Sequence, residues 1–215
     1  MRVAELWRYP VKSMRGERLE RAEVLADGIR GDRLLRIEDE RGLVTARRKQ
    51  RLIAVATGIA EDGEALVEGS RWDSDEAGKR VCELAGEEAR LVRTDGGARF
   101  DAAPLLVCSD GALAAHGADP RRFRPNVIVA GVDALSERDW VGRELRLGDV
   151  VLRAVEPCER CAVTTIDPET AVVDPDVLRR VNDEFEGIMG VYCAVARPGT
   201  IAVGDEVDVD AGAGG

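Results

Sequence analysis

The sequence has 215 residues, of which 45% are apolar and 33% are charged, and its formal net charge is -10. This length fits one large domain or two small ones. The negative charge disfavours a nucleic-acid-binding protein. No apolar run approaches the roughly 20 residues that cross a bilayer, and Glu5 interrupts the apolar block that a signal peptide needs. We therefore expect a cytoplasmic protein that binds neither nucleic acid nor membrane.

The first half of the chain predicts short strands around one helix. Residues 1–9 alternate apolar and polar side chains, as a half-buried strand does, and Pro10 ends them. Further strands are predicted at 34–37 and 43–46, joined as a hairpin, and at 52–60, 65–69 and 89–93. Residues 75–86 have the apolar spacing of a helix.

The second half continues this pattern. Ser109 and Asp110 suit the beginning of a short helix after an apolar strand. Strands are predicted at 104–109, 126–131, 145–155 and 189–199, a helix at 175–185, and a last pair of strands within 200–210. Many short strands with frequent turns favour a barrel over alternating strands and helices.

Charge is distributed unevenly along the chain. Residues 1–52 hold 14 Lys and Arg against 9 Asp and Glu, whereas residues 156–215 hold 4 against 13. A basic first segment in an acidic protein suits an anionic small ligand. A solvated arginine-rich surface explains the same counts.

Residues 157–168 bring Cys158 and Cys161 close to an arginine, two threonines and an aspartate. A structural zinc site needs four ligands, and a lone Cys-x-x-Cys supplies two. A thioredoxin-like pair begins a helix, but both flanks here predict extended chain. A cysteine nucleophile needs a base, and the single histidine, His116, ends an alanine-rich helix. Cys82, Cys108 and Cys193 are expected to be buried, inert thiols. A thiolate ligand to a redox metal remains, and the residues leave the metal open.

Six motifs, in this order, resemble MOSC-domain proteins, in particular the amidoxime-reducing components and their bacterial counterparts. They are YPVKSMRG at 9–16, GIRGDR at 28–33, LVTAR at 43–47, RFRPNVIVAG at 122–131, PCERCAVTTIDPET at 157–170 and VYCAVARPGTIAVGD at 191–205. Each motif alone is weak, but the ordered set is specific. The resemblance implies a mostly β (α+β) fold. A MOSC-type β-barrel core would comprise residues 1–33 and 97–212, with a small α/β segment at 34–96 and a flexible tail at 211–215.

The resemblance also implies a molybdenum cofactor, a molybdenum-pterin, in a reductase of N-hydroxylated compounds such as amidoximes and hydroxylamines. Cys161 matches the family's metal ligand. Asp101, Thr164 and Asp167 are further candidates for the catalytic pocket. The implied cofactor-binding residues are Lys12, Ser13, Arg33, Arg47, Arg124, Asn126, Cys158, Glu159, Arg160 and Tyr192.

The chain has no cysteine cluster of the ferredoxin kind. Electrons would therefore come from a separate protein, such as a ferredoxin, a flavoprotein or a cytochrome b5-like protein. Asp101, Ala102 and Ala103 stand where relatives usually carry hydroxyl residues, which leaves the substrate open. One alternative is a carrier of molybdenum cofactor or sulfur that uses Cys161 without turnover. Another is a dithiol protein without metal.

Overall fold

The computed structural model describes residues 1–94 and 99–210. Most of the regular structure in these ranges is strand, and the three α-helices are α1 (Asp75–Ala85), α2 (Asp110–His116) and α3 (Pro175–Phe185). The fold is therefore mostly β with an α+β arrangement, as predicted. The predicted tail at 211–215 and the predicted boundary at residue 97 lie outside the described residues.

An eight-stranded sheet forms the larger part of the fold. Its order is β17-β13-β14-β15-β11-β12-β1-β2. The strands are β1 (Arg2–Arg8), β2 (Glu17–Leu19), β11 (Leu105–Ser109), β12 (Val127–Ala130), β13 (Glu144–Leu147), β14 (Val150–Glu159), β15 (Ile188–Arg197) and β17 (Val207–Val209). Only β11 and β12 pair in parallel; the other neighbours in this sheet are antiparallel.

The large sheet curves back towards itself. A β-bridge joins Arg2 to Glu206, and the Val3 amide donates to the Asp205 carbonyl at 2.9 Å. The segment before β17 at one edge of the sheet therefore meets β1 near the other edge. The concave side buries an aliphatic core in which Leu6, Leu105 and Leu145 have no exposed surface.

Three small sheets complete the fold. Their orders are β10-β5-β6, β16-β3-β4 and β7-β8-β9. The strands are β3 (Arg21–Leu25), β4 (Gly28–Ile29), β5 (Leu35–Asp39), β6 (Gly42–Val44), β7 (Thr57–Ile59), β8 (Ala65–Val67), β9 (Ser70–Arg71), β10 (Arg90–Arg93) and β16 (Gly199–Ala202). Helix α1 packs Val81 and Leu84 into a second core with Leu35 and Ile37.

Two predictions of local structure were wrong. Residues 52–60 were expected to be one strand, but Gln50–Ala54 is a 3-10 helix that precedes β7. The segment after Cys161 was expected to be extended, but Ala162–Thr165 is also a 3-10 helix. The Thr164 and Thr165 hydroxyls donate to the carbonyls three residues earlier, at 2.9 and 2.7 Å, and so stabilise this turn.

The last predicted strand pair and one thiol also differ from expectation. β16 pairs with β3 and β17 pairs with β13, so these two final strands do not pair with each other. Cys82 is partly exposed, whereas Cys108 and Cys193 are buried. Burial raises the pKa of the Cys108 and Cys193 thiols. Across residues 1–94 and 99–210, no helix is long and apolar enough to cross a bilayer.

Two glycines with the same left-handed backbone differ in the space that is available for a side chain. Gly142 and Gly190 have φ of +83° and +80°, and an alanine in this region costs about 1 kcal/mol or more. A Cβ on Gly142 would meet nothing within 4 Å, but one on Gly190 would lie 2.6 Å from Cys108 Sγ. We expect Gly190→Ala to lower the free energy of unfolding by about 1–3 kcal/mol more than Gly142→Ala. Urea denaturation measures both, and equal losses would refute the packing of β15 on β11.

Candidate functional site

The motif residues converge on one cavity of about 210 Å³. Every residue proposed for the site from the sequence lines this cavity, except Asp167. The wall also includes residues that sequence reasoning did not single out, namely Leu43, Thr45, Phe100, Ala103, Leu106, Arg122, Phe123 and Val163. Loops from both halves of the chain therefore form a single concave site.

Three cavity residues have strained backbones. Ser13, Arg33 and Arg124 have φ of 72°, 48° and 54°. Side chains other than glycine rarely adopt this left-handed region, at a cost of about 1–3 kcal/mol per residue. Such strain persists where surrounding contacts fix the chain, and it often occurs at binding sites. Here it coincides with three of the residues that the resemblance implies for cofactor binding.

The buried ring of Tyr9 connects two arginines. The Arg124 and Arg33 guanidinium carbons lie 4.3 and 5.2 Å from the ring centroid. The Tyr9 hydroxyl donates to the Pro125 carbonyl at 3.1 Å, which holds the ring in place. An aromatic face attracts a cation most when water is excluded. Tyr9 therefore places two guanidinium groups side by side in the cavity wall.

The two arginines differ in their acidic partners. Arg33 forms an ion pair with Asp32, whose side chain is fully buried and also accepts from the Tyr9 amide at 2.7 Å. Arg124 donates to the Met14 carbonyl at 2.7 Å, and no carboxylate among the described residues forms an ion pair with it. Burial lowers the pKa of Arg124 to about 10; the Tyr9 hydroxyl opposes this decrease and the Arg33 charge adds to it. The cavity thus contains a desolvated positive charge that an anion would neutralise.

Lys12 adds a third cation, which Asp101 partly neutralises. Their ion pair is 2.8 Å long, with Lys12 largely buried and Asp101 64% exposed. Burial works to raise the pKa of Asp101, but the hydrogen bond from Lys12 and the charges of Lys12, Arg33 and Arg47 bring it below its usual value. Arg47 is exposed at the same cavity. Asp101 is therefore a carboxylate near neutral pH.

Asn126 is largely occupied by protein contacts. Its Oδ1 accepts from the Leu106 amide at 3.1 Å and from Arg33 at 3.4 Å, and its Nδ2 donates to the Trp7 carbonyl at 3.2 Å. These bonds connect β1, β11 and Arg33. Asn126 is a positioning residue for Arg33, and its direct contact with a cofactor stays a prediction.

The cysteine pair occupies two different environments. Cys158 is 1% exposed, and Arg160 Nη1 donates to its sulfur at 2.9 Å. The β14–β15 register shifts between Pro157 and Glu159, and such irregularities often re-aim side chains at active sites. Cys161 follows the end of β14 as the residue before the 3-10 turn, and it is partly exposed. The Cys161 thiol is therefore the more accessible of the two.

Arg160 is a partly buried arginine whose Nε has no hydrogen-bond partner among the described residues. Besides Cys158, its guanidinium donates to the Phe123 carbonyl and lies over the Phe123 ring at 5.4 Å. The Nε atom itself is buried. In the described part of the chain, no three His, Cys, Asp or Glu side chains form a cluster that would hold a metal on its own. Cys161 would thus supply one ligand to a metal whose remaining ligands come from a bound cofactor.

The sequence analysis missed residues that position other residues of the site. Tyr9 and Asp32 lie inside the quoted motifs, next to the residues that were singled out. Arg122 lines the cavity, donates to the Thr165 carbonyl at 2.8 Å and bonds Asp167 at 3.0 Å. Asp167 itself does not line the cavity; it accepts from the Glu169 and Thr170 amides and orients Arg122. Arg122 is the first residue of the RFRPN motif, and its position there could have identified it as a candidate site residue.

Comparisons with known proteins agree with the motifs. Residues 1–104 match the MOSC N-terminal beta barrel domain and residues 106–208 match the MOSC domain. Mitochondrial amidoxime-reducing component 1 of Mus musculus is 30% identical over an alignment that covers 95% of this chain and 81% of that protein. Mitochondrial amidoxime reducing component 2 of Homo sapiens is also 30% identical, over 95% of this chain and 82% of that protein.

These matches also bear on the fold and its division. The YUAD protein from Bacillus subtilis shares 16% identity and a TM-score of 0.52, over 97% of this chain and 94% of that one, which shows a common fold. The two domain models meet near residue 105, whereas the sequence predicted a core of 1–33 with 97–212, and that division stays a prediction. By its domain matches and its relatives, the chain belongs to the MOSC-domain family.

Proposed function

We propose that the cavity binds a molybdenum-pterin cofactor by its phosphate, and that the protein reduces N-hydroxylated compounds. The observation that carries this proposal is the partly buried charge of Arg124, which forms no ion pair among the described residues and shares a cavity with the partly exposed Cys161. The names of the relatives, which are amidoxime-reducing components, support the reaction class.

The cationic and hydroxyl hydrogen-bond donors of the cavity wall are suited to binding a phosphate. Lys12, Arg33 and Arg124 are cations in a partly dehydrated wall, and Ser13 adds a buried hydroxyl. Charge-assisted hydrogen bonds from such donors are stronger than neutral ones. A bound phosphate would supply the negative charge that Arg124 lacks. Arg47, at the same cavity but exposed, would contact the cofactor nearer to solvent.

The cysteine side of the cavity fits a soft metal. A cysteine thiolate can ligate a redox metal, and Cys161 is the more exposed of the two cysteines. Cys158, Glu159, Arg160 and Tyr192 form the adjacent wall, where the Arg160 guanidinium would donate to a bound oxygen atom or ring nitrogen. When bound, the cofactor would supply the electron-transfer chemistry, and the protein would hold and orient it.

The net reaction breaks the N–O bond of the substrate. Two electrons and two protons convert an amidoxime to an amidine, and the oxygen leaves as water. Asp101 is an exposed carboxylate at the cavity that can exchange protons with solvent. Thr164 stabilises the turn after Cys161, and Asp167 orients Arg122, so both act on the shape of the pocket. The electrons would come from a separate protein in the cytoplasm, of the ferredoxin, flavoprotein or cytochrome b5 kind.

The two cysteines should contribute unequally to metal binding. In a host that makes the molybdenum cofactor, we expect Cys161→Ser to remove most of the molybdenum from the purified protein. Cys158→Ala should retain most of it, because Cys158 is buried and its sulfur accepts a hydrogen bond from Arg160. Mass spectrometry of the metal measures both. Wild-type protein without molybdenum, or equal loss in the two variants, would contradict the assignment.

Turnover separates an enzyme from a carrier. Wild-type protein with cofactor should reduce benzamidoxime when reduced methyl viologen supplies the electrons, and Cys161→Ser should not. Product formation is followed by liquid chromatography. Molybdenum bound without any reduction of benzamidoxime would favour the alternative, a carrier of cofactor or sulfur that uses Cys161.

Arg124 should govern anion binding in the protein without cofactor. Inorganic phosphate should raise the melting temperature of the wild type, and Arg124→Gln should abolish most of this increase by removing the unpaired charge. Arg146→Gln is the matched control, because Arg146 is exposed and does not line the cavity. The result would contradict the proposal if both variants kept the wild-type response to phosphate.

The same response should depend on pH. The pKa of Arg124 is about 10 in the fold, below the ordinary value, so the folded protein loses this proton before the unfolded chain does. Phosphate stabilisation through Arg124 is present below pH 10 and is lost as the pH rises through it. The difference between wild type and Arg124→Gln should therefore shrink above pH 10. Thermal melts at pH 8 to 11 test this, and a constant difference would be inconsistent with a lowered pKa.

A further inference from the structure

A strongly basic segment lies beside the cavity. Residues 41–51 carry Arg41, Arg47, Arg48, Lys49 and Arg51 and no acidic residue, in a chain of net charge -10. Arg47, Arg48 and Arg51 are exposed. Within the described residues, the one ion pair of this segment joins Arg48 to Asp39. The segment therefore presents unneutralised positive charge to solvent.

Two neighbouring acidic side chains are already paired with other arginines. The turn at 167–169 contributes Asp167, which pairs with Arg122, and Glu169, which pairs with both Arg15 and Arg121. These two carboxylates therefore do not cancel the charge of residues 41–51.

This segment is close to Cys161. Leu43 and Arg47 line the same cavity as Cys161 and Val163. Beneath them, Ala46 and Ile53 pack with Ile166 in one small buried cluster. The basic segment and the 3-10 turn after Cys161 are thus joined by packing. A protein that covered the segment would stand directly over the cavity.

Exposed apolar side chains accompany the charges. Leu43 is 41% exposed and Val172 is 64% exposed. Val172 follows Ala171, which packs against the same buried cluster. We name the surface formed by Leu43, Arg47, Arg48, Lys49, Arg51 and Val172 the basic face. Apolar groups amid charges of one sign are typical of a surface that meets a complementary protein.

We propose that the basic face docks an acidic one-electron carrier protein, which delivers electrons to the cavity. The inference rests on the proposed function, because it names the partner of that site. Charge complementarity steers such encounters and raises their rate at low salt. Each reduced carrier loses one electron in an encounter, and two encounters supply the two electrons that, with two protons, break the N–O bond and release water. An acidic protein fits this face, whereas a basic carrier would be repelled.

The test compares two double charge reversals of equal size. Lys49→Glu with Arg51→Glu alters the basic face without touching the cavity wall. Arg21→Glu with Arg146→Glu makes the same change at exposed sites away from the cavity. With reduced plant-type ferredoxin as the acidic donor and benzamidoxime as substrate, we expect the first pair to raise the KM for ferredoxin about tenfold or more at low salt, and the second pair to change it little. Turnover with reduced methyl viologen should be the same in all three proteins.

Salt and binding measurements make the outcome decisive. In the wild type, the KM for ferredoxin should rise with ionic strength. Equal KM changes in the two double variants, or a salt-independent KM, would overturn the docking proposal. If viologen gives no turnover, the proposed function fails instead, and binding of oxidised ferredoxin to immobilised holoprotein still tests the face. Binding lost only in Lys49→Glu with Arg51→Glu would support it, and equal binding in both variants would overturn it.

Discussion

The site depends on the burial of two guanidinium groups against one aromatic ring with a single carboxylate. Arg33 and Arg124 both contact Tyr9, and only Arg33 has Asp32 as partner. Buried like charges repel and are poorly solvated, so the fold must hold them by other means. It does so with carbonyl acceptors, the ring face and two left-handed backbone positions. Such an arrangement supports the proposal that the cavity binds an anion.

The positions of the two cysteines in the cavity depend on the register of the two longest strands. β14 and β15 are ten residues each, and their pairing shifts three times along the ladder. The last shift comes at Cys158, and the 3-10 turn begins after Cys161. Both cysteines line the cavity, but Cys158 is buried against Arg160 and Cys161 is partly exposed. The arginines and the cysteines of the cavity come from different parts of the chain, and the antiparallel pairing of β1 with β12 brings RFRPN beside the first motif.

Local patterns in the sequence predicted much of the fold. The strand β1, the hairpin of β5 and β6, and the helices α1 and α3 are all confirmed. The two helices each bury one apolar face, whereas a register shift between Val3 and Glu5 breaks the predicted alternation of β1. The turn at 162–165 was not predictable from β-branched residues alone, since its threonine hydroxyls bond to nearby carbonyls. The pairing of β16 with β3 depends on contacts far apart in sequence. The spacing of apolar residues within a strand does not indicate which distant strand will pair with it.

The sequence predicted some residues of the candidate site but not the residues that position them. Residue types and motif order placed Lys12, Arg33 and Cys161 in one hypothesis, and the structure brings all three to one cavity. Tyr9 and Asp32 were missed because they act through neighbours and show no chemistry of their own in a motif. The unequal exposure of the two cysteines could not be derived from their spacing. It depends on the register shift in β14 and on the turn that follows.

The most direct test of the account is a crystal structure of protein purified with cofactor, with anomalous diffraction measured at the molybdenum absorption edge. The account predicts a molybdenum peak bonded to Cys161 Sγ and a phosphate in contact with Arg124, Arg33 and Lys12. A molybdenum peak bonded to Cys158, or a phosphate bound away from Arg124, would contradict it.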